Sequence, residues 1–384
     1  MAKRITPGQI KRNNRQQIYN YIYHRRKASQ QDMVFALRLS RPTVAANLAE
    51  LEEDGLICKN GQIEADQIGR KAAAYAIVPD YRVAVGVEIL RKRVKMIAVD
   101  LYGEKLSREV VELRFAHEPA YYNRVCVEIN RFVDALSVPR ERILGVGLAA
   151  QALASRDGRS IAYGAILGCT GLTVDVFEKA LQLPCRFMHD PAGAAMSELW
   201  VSPEMTDAVY LSLSAHPGGA IINQRRIMVG KHGHNSTFEH IQARPDGELC
   251  YCGRRGCWDT LLSRRALVGE DTLEAFFERV RAGDAEAEAR WGVYLTNLAR
   301  LIGWLHLFND VDFILGGHLA PFFTEADIRR LYDEIRRTCP FDEADDFIRI
   351  SKMPSHNITV GISLPYITAC LEPLGVEPGE PDET

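Results

Sequence analysis

The stretch ELCYCGRRGCWDTLL, residues 248–262, places three cysteines within eight residues. The chain holds nine cysteines, an odd number, and its opening residues MAKRITPGQIKRNN carry no apolar signal segment. We therefore expect a cytoplasmic protein, in which clustered cysteines bind metal more often than they form disulfides. His240 lies ten residues before Cys250 and completes the four ligands of a zinc site with Cys250, Cys252 and Cys257.

Two glycines support the zinc prediction. Gly253 and Gly256 lie between Cys252 and Cys257 and let the chain curl back, so that both thiolates reach one metal ion. The alternative, a group of unrelated buried thiols, explains neither the glycines nor the histidine. Because four protein ligands leave no open position for an activated water, we predict one structural Zn²⁺ per chain.

The charge of the chain is unevenly distributed. The first 78 residues carry 13 lysines and arginines against 7 aspartates and glutamates, whereas the remainder carries 34 against 43. The first 27 residues hold eight basic side chains and no acidic one. A basic N-terminal segment on an acidic body indicates that this segment meets a polyanion. A basic tail that is merely solvated is the alternative.

The N-terminal segment also shows the pattern of a helix-turn-helix. SQQDMVFAL begins with Ser29 as N-cap and Asp32 three residues later, which resembles a capping box. In LSRPTVAANLAELEEDGLI, Ser40 caps, Pro42 lies in the first turn, and apolar residues at 44, 48 and 51 have helical spacing. Two short helices joined by a tight turn are typical of this DNA-binding motif.

The following residues predict a wing. GLICKNGQIEADQIGRKAAAYAIV is predicted as strand, loop and strand, with a basic loop tip. We predict that Arg41, Thr43 and Asn47 of the second helix reach base edges of double-stranded DNA, and that Arg70 and Lys71 of the wing reach phosphate or the minor groove. A winged helix used only for protein contacts is the alternative.

From about residue 80 the pattern becomes that of an α/β body. YRVAVGVEILRKRVKMIAVDLYGEKLSREVVEL predicts strands in hairpins, and later strands alternate with helices, which predicts two α/β lobes around a cleft. We assign four segments: a winged helix-turn-helix domain, 1–78; a first lobe, 79–195; a second lobe with the zinc loop, 196–376; and a disordered tail, 377–384.

The zinc segment carries a family resemblance. It has the form H-x9-C-x-C-G-x2-G-C-x-D, made by His240, Cys250, Cys252, Gly253, Gly256, Cys257 and Asp259. Together with the winged helix and the two-lobed body, it resembles the ROK family, whose members are sugar kinases and sugar-responsive repressors. The resemblance covers about residues 10–370 and implies an actin-like (RNase H-like), ATPase-type body. The winged helix implies the repressor branch, because the kinases resemble only the part after about residue 80.

The turns that hold ATP phosphates in ROK kinases are altered here. The family has a glycine-rich, threonine-containing turn after the first strand, whereas this chain has Glu88 followed by LRK at 90–92. The second turn carries AHP at 215–217 in place of a Gly-Thr-Gly pattern, and Pro217 lacks an N–H donor. LGGHLA at 315–320 remains, although a tight turn alone would explain it. Kinase activity is therefore not expected.

The resemblance also places an effector site in the cleft. Asp190 in MHDPAGAA matches the catalytic aspartate of the kinases, although a helix-capping role is the alternative. The flanking amides of the family have become His189 and Ala192. Thr237 stands where the family has a sugar-contacting glutamate, and Ile166 where it has an asparagine.

The effector predicted from this site is a sugar-like small molecule. Its contacts are predicted to be Asp190, His189, Thr237, His240 and Asp259, the last in place of a family glutamate. Because several hydroxyl partners are replaced, we expect neither glucose nor N-acetylglucosamine, and a less hydroxylated, substituted or acidic sugar derivative fits better. His189 or His216 would then serve as partners of an anion; the alternative is that both are core residues whose rings are satisfied by the backbone.

These observations predict a transcriptional regulator, not an enzyme. We expect a repressor of carbohydrate uptake or metabolism genes that binds an operator as a homodimer or homotetramer and contacts no membrane. Two alternatives stay open: a ROK-type sugar kinase with a degenerate ATP site, and a constitutive DNA-binding protein whose cleft is vestigial.

Overall fold

The N-terminal domain contains three helices and a small sheet in a computed structural model that describes residues 6–63, 72–341, 344–353 and 357–376. The predicted tail, 377–384, lies outside these residues. The helices are α1 (Pro7–Arg25), α2 (Gln30–Leu37) and α3 (Arg41–Glu53). Strands β1 (Ala28–Ser29), β2 (Ile57–Ile63) and β3 (Ala72–Ile77) form an antiparallel sheet in the order β1-β3-β2.

The predicted caps set the boundaries of α2 and α3. The Ser29 hydroxyl accepts from the Asp32 amide, while the Asp32 carboxylate accepts from the Ser29 amide, so the capping box is complete. The Ser40 hydroxyl accepts from the Thr43 amide at the start of α3. The helix-turn-helix geometry is thus fixed by local hydrogen bonds.

The first lobe is a mixed five-stranded sheet. Its order is β10-β7-β4-β5-β6, with β4 antiparallel to β5 and parallel to β7. The strands are β4 (Val83–Ile89), β5 (Arg93–Val99), β6 (Lys105–Glu112), β7 (Ile143–Ala149) and β10 (Cys185–Phe187). A small hairpin, β8 (Leu153–Ala154) with β9 (Ile161–Tyr163), and helices α4 (Pro119–Asp134) and α5 (Asp175–Leu181) complete the lobe.

The second lobe repeats this plan. Its sheet has the order β13-β12-β11-β14-β15. The strands are β11 (Ala208–Ser212), β12 (Gly218–Asn223), β13 (Arg226–Ile227), β14 (Asp312–Gly316) and β15 (Ile348–Ile350). The helices of this lobe are α6 (Asp190–Val201), α7 (Asp259–Leu262), α8 (Arg264–Val268), α9 (Leu273–Arg281), α10 (Ala285–Phe308) and α11 (Glu325–Arg336). Two C-terminal helices follow, α12 (Asn357–Gly361) and α13 (Leu364–Leu371). Two sheets flanked by helices agree with the predicted α/β class.

The C-terminal segment returns to the first lobe, although the sequence division placed it in the second. A Cβ atom on Gly86 of β4 would lie 1.8 Å from the Thr359 carbonyl oxygen, and one on Gly147 of β7 would lie 2.0 Å from the Ile362 oxygen. Glycine is therefore required where this segment crosses the sheet. The division at residue 196 did not anticipate this crossing.

The N-terminal domain shares a hydrophobic core with the body. Residues of α1, β5 and α13 form one buried cluster that includes Ile18, Ile22, Val99, Ile367 and Leu371. Such a core joins α1 directly to the first lobe and to α13. Across the part of the chain that the structure describes, no helix is long and apolar enough to cross a membrane.

Candidate functional site

The four predicted zinc ligands converge at one point. Their ligand atoms all lie within 4.8 Å of one another. Cys252 Sγ lies 3.7 Å from Cys257 Sγ, and Cys250 Sγ lies 3.8 Å from His240 Nδ1. Tetrahedral zinc with bonds of about 2.3 Å to sulfur separates neighbouring sulfur ligands by roughly 3.8 Å. The donor set and spacing therefore fit Zn²⁺.

A glycine closes the metal loop, as its sequence predicts. Gly256 has φ of +69°, and a Cβ atom there would lie 1.4 Å from the Arg244 carbonyl oxygen. The segments on either side pair through bridges between Gln242 and Cys257 and between Leu249 and Arg255. Any side chain at position 256 would force these segments apart.

The zinc loop forms one wall of the interlobe cleft. The cleft is a cavity of about 100 Å³ lined by residues of both lobes, among them Asp190, His216, Glu239, His240 and Tyr251. The Tyr251 ring stands edge-on to the rings of His216 and His240, with centroid distances of 4.8 and 5.0 Å. Metal ligands and cleft residues thus belong to one packed unit.

The structure reveals a carboxylate that the sequence analysis missed. Glu239 is 5% exposed and lines the cleft, and its Oε2 is buried without a hydrogen-bond partner among the described residues. Thr237, the predicted contact, lies outside the cavity lining, and its hydroxyl donates to the His234 carbonyl at 3.2 Å. The short 3-10 turn Phe238–His240 places Glu239 toward the cleft. The sequence did offer one indication of this role, because Glu239 directly precedes the predicted zinc ligand His240.

Burial shifts the titration of the cleft residues. It raises the pKa of Asp190 to about 7 and that of Glu239 to about 8. It lowers the pKa of His189 to about 4, so this imidazole is neutral at physiological pH. Near neutral pH the two carboxyl groups are therefore partly or mostly protonated, and each can both donate and accept a hydrogen bond.

The two histidines considered as partners of an acidic effector differ in their surroundings. His216 Nδ1 lies 2.8 Å from Asp259 Oδ1, whereas His189 is neutral at physiological pH. Asp259 itself is buried behind the cleft, where its Oδ2 lies 3.9 Å from Cys250 Sγ. A lining of carboxyl groups favours hydroxyl or amino donors over an anion.

The phosphate turns are closed by side chains. Lys95 donates to Glu88 at 2.8 Å, and both side chains are largely buried. Arg91 donates to the Ile166 carbonyl at 2.7 Å. His318 Nδ1 lies 3.1 Å from the Ser214 hydroxyl, across the space between the two turns of the second lobe. These side chains lie at or beside the turns for which the family resemblance implies glycine amides that hold phosphate.

The DNA-binding prediction needs one correction. Arg41 is exposed and Thr43 is half-buried at the start of α3. Asn47 is 4% exposed and its Nδ2 donates to the Thr43 carbonyl at 2.8 Å. It cannot reach a base edge in this conformation, because one helical turn places it on the same side as Val44 and Leu51. Arg70 and Lys71 lie outside the described residues.

The sequence model of the ROK family matches residues 84–338. The DNA-binding transcriptional dual regulator NagC of Escherichia coli K12 is 23% identical over 340 residues, which is 83% of this chain and 82% of that protein.

Two solved structures, one named as a regulator and one as a glucokinase, share the fold. A ROK family transcriptional regulator, a homolog of the E. coli Mlc protein, matches with a TM-score of 0.71 and 20% identity over 95% of this chain and 98% of its own. A ROK family glucokinase from Streptomyces griseus, solved with glucose and AMPPNP, matches with a TM-score of 0.64 and 21% identity. That match covers 74% of this chain and 98% of the glucokinase.

Proposed function

The chain belongs to the ROK family, and we propose that it is a DNA-binding transcriptional regulator, acting as a repressor of carbohydrate uptake or metabolism genes. One observation carries the proposal: a capped helix-turn-helix and a small sheet precede the ROK body, and the similarity to a regulator extends over them, whereas that to a glucokinase leaves about a quarter of the chain uncovered. A regulator that binds DNA and responds to a ligand needs no chemistry in the cleft.

The face proposed to meet DNA carries small side chains and one arginine. Arg41 leads α3, and Ala45, Ala46 and Ala49 are among the exposed positions that follow it. Alanine permits close approach to the major groove and contacts thymine methyl groups, while arginine reads guanine. Thr43 stays a candidate for contacts at the groove edge. Arg70 and Lys71 are proposed to contact phosphate.

The cleft is proposed to hold the effector. Asp190 and Glu239 lie in the cavity wall with His240, and the two carboxyl groups would hydrogen-bond to the hydroxyl or amino groups of a neutral or amino-bearing sugar. Residues of both lobes line the cavity, so a ligand that prefers one lobe arrangement would shift the spacing of two winged helices in a dimer. The dimer would place these helices about 34 Å apart on successive major grooves.

Zinc is proposed to serve the structure of this site. His240, Cys250, Cys252 and Cys257 would hold it, and the bound ion would fix the loop that carries Glu239 and Tyr251. Catalysis is not proposed, since the phosphate turns are filled by the Glu88–Lys95 pair and by His318.

Selection of genomic fragments by the purified full-length chain tests the proposal. We expect a few enriched fragments that share a pseudo-palindromic site, and a change in affinity for that site when the correct sugar is added. Calorimetry with a panel of monosaccharides, using Glu239→Gln as the cleft variant, identifies the ligand. Recovery of random fragments only would contradict the proposed function.

A further inference from the structure

A second and larger cavity is lined by Ala192, Met196, Leu199 and Trp200 of α6, whereas the interlobe cleft meets only the start of this helix. We name it the rear cavity and define it by α6, the β12–β13 hairpin, α13 and the segments 154–156 and 186–189. Its volume is about 460 Å³, against about 100 Å³ for the cleft. Cavities of roughly 300–1,000 Å³ are the size range of small-molecule sites. His189 is shared by the walls of both cavities.

The floor of the rear cavity is apolar. Apolar side chains from α6 and from the hairpin line it: Met196, Leu199, Trp200, Ile227, Met228 and Val229. Met228 and Val229 are 47% and 42% exposed, so the hairpin leaves apolar surface open to solvent beside the cavity. Exposed apolar surface of this kind marks a binding site more often than it marks a structural element.

The rim of the rear cavity is cationic. Arg156, Arg186 and Arg226 line it, and in the described part of the chain no carboxylate lies within ion-pair distance of any of them. Arg225 is different, because it donates to backbone carbonyls, including those of Pro203 and Met205. The one carboxylate of the lining is the exposed Glu372. A guanidinium group without a partner binds carboxylate or phosphate oxygens through two parallel hydrogen bonds.

We propose that the rear cavity binds a small amphipathic anion, an apolar body with one carboxylate or phosphate group, and that the DNA-binding domain senses its presence. The apolar floor takes the body of the ligand and the arginine rim takes its head. This ligand is chemically opposite to the one proposed for the cleft, whose walls carry carboxyl groups. The second half of the inference rests on the proposed DNA-binding function, whereas the first half does not.

One wall of the rear cavity continues directly into the DNA-binding domain. Pro365, Thr368, Ala369 and Glu372 of α13 and the turn after it line the cavity. In the next turn, the Pro373 carbonyl accepts a hydrogen bond from Gln16 of α1 at 3.0 Å. A displacement of α13 by a ligand would therefore be felt at α1, because the two helices share one buried core.

Trp200 provides a second contact route from the cavity to α1. Its Nε1 donates to the Tyr102 carbonyl at 2.8 Å. The Tyr102 ring packs against Tyr23 of α1 at a centroid distance of 4.8 Å and lies 3.5 Å from the Arg26 guanidinium carbon. The Tyr23 hydroxyl also donates to the Leu101 carbonyl at 3.0 Å. Two contacts thus separate a ligand against Trp200 from the helix that begins the DNA-binding domain.

The binding half is tested with a fluorescent probe and the full-length protein without DNA. The probe, 8-anilinonaphthalene-1-sulfonate, has an apolar body and one anionic group. We expect saturable binding of one probe per chain, displacement by octanoate and at least tenfold weaker displacement by octan-1-ol. The double variant Arg156→Gln/Arg226→Gln should weaken probe binding about tenfold. Arg281→Gln, which changes an exposed arginine outside both cavities, is the matched control.

A cavity-filling variant gives a second test of the site that does not depend on the arginines. Ala369→Phe places a ring at the cavity wall from an exposed position of α13 and should also abolish saturable probe binding. Absence of saturable binding to the folded wild type, or binding that neither the double variant nor Ala369→Phe weakens, would overturn the site.

The coupling half uses a DNA duplex selected by the wild type. Octanoate at saturation should change the affinity of the wild type for this duplex at least threefold, and should leave that of Ala369→Phe unchanged. Probe binding together with an unchanged DNA affinity would overturn the coupling and leave the site standing. If the protein selects no DNA, the proposed function fails, and the coupling fails with it, while the probe experiment still decides the site.

Discussion

The zinc loop and the phosphate turns line the same cleft, but the zinc loop keeps the residues of the family motif whereas the phosphate turns do not. The zinc loop keeps all four ligands and the glycine whose backbone no other residue would tolerate. At the phosphate turns implied by the family resemblance, LRK at 90–92 and AHP at 215–217 stand in place of glycine-rich patterns, and the Glu88–Lys95 pair lies beside the first of them. We propose that this body serves binding and conformational response rather than phosphoryl transfer.

The largest expected effect is at the zinc loop, where removal of one metal ligand should cost both the metal and stability. Cys252→Ser should release zinc and lower the free energy of unfolding by on the order of 4 kcal/mol, because structural metal contributes directly to folding. Metal analysis and thermal unfolding measure both effects. Cys58→Ser removes a half-buried thiol outside the cluster and should keep a full equivalent of zinc. Wild-type protein with less than about half an equivalent would contradict the zinc assignment.

If the body only binds and responds to a ligand, the specificity for DNA sequence should lie in α3 of the N-terminal domain. Arg41→Ala should reduce discrimination between the selected site and random DNA by about 1–3 kcal/mol, the worth of one bidentate base contact. Asn47→Ala should instead lower the free energy of unfolding by about 1 kcal/mol, because its amide bonds the Thr43 carbonyl inside the domain. Fluorescence anisotropy and thermal unfolding separate the two effects. Equal losses of discrimination in both variants would show that α3 is wrongly oriented.

Asp190 in the cleft should make the stability of the protein depend on pH. Burial raises the pKa of Asp190 to about 7 from an unfolded value of 3.8, so the folded state holds this proton more tightly. The stability that the proton contributes is present below pH 3.8 and is lost as pH rises toward 7. The free energy of unfolding of Asp190→Asn, relative to that of the wild type, should therefore rise by about 1–2 kcal/mol from pH 5 to pH 8.

Denaturant unfolding at the two pH values measures this gain. Asp346→Asn is the control, because the Asp346 side chain is exposed and lies in the second lobe, away from the cleft lining. An Asp190→Asn difference from wild type that stays constant from pH 5 to pH 8 would refute the buried-proton account.

For the altered phosphate turns we predict no effect of nucleotide at all. Saturating MgATP should leave the thermal midpoint unchanged, and no ADP should form with glucose, mannose, N-acetylglucosamine or xylose. The Glu88–Lys95 pair and Pro217 leave no cradle of glycine amides for phosphate. Coupled detection of ADP measures turnover. ADP formation that Asp190→Asn abolishes would restore the kinase interpretation.

The sequence predicted local features well and relations between distant segments poorly. The metal ligands and helix caps depend on residues within about twenty positions of one another, so their spacing determines the geometry. Asn47 was misplaced because helical spacing predicts a periodicity but not which polar residue packs inward. Glu239 was missed because a short 3-10 turn, rather than an alignment position, decides which side chain enters the cleft. The return of α12 and α13 to the first lobe depends on close glycine crossings that no local pattern encodes.

Sequence-specific DNA binding is the central claim, and the ratio of two affinities tests it most directly. The full-length protein should bind its selected duplex at least about 10³-fold more tightly than a scrambled duplex of the same length and composition, measured at one fixed salt concentration near physiological. A ratio within about tenfold of unity, from protein with a full equivalent of zinc and a cooperative unfolding transition, would contradict the account.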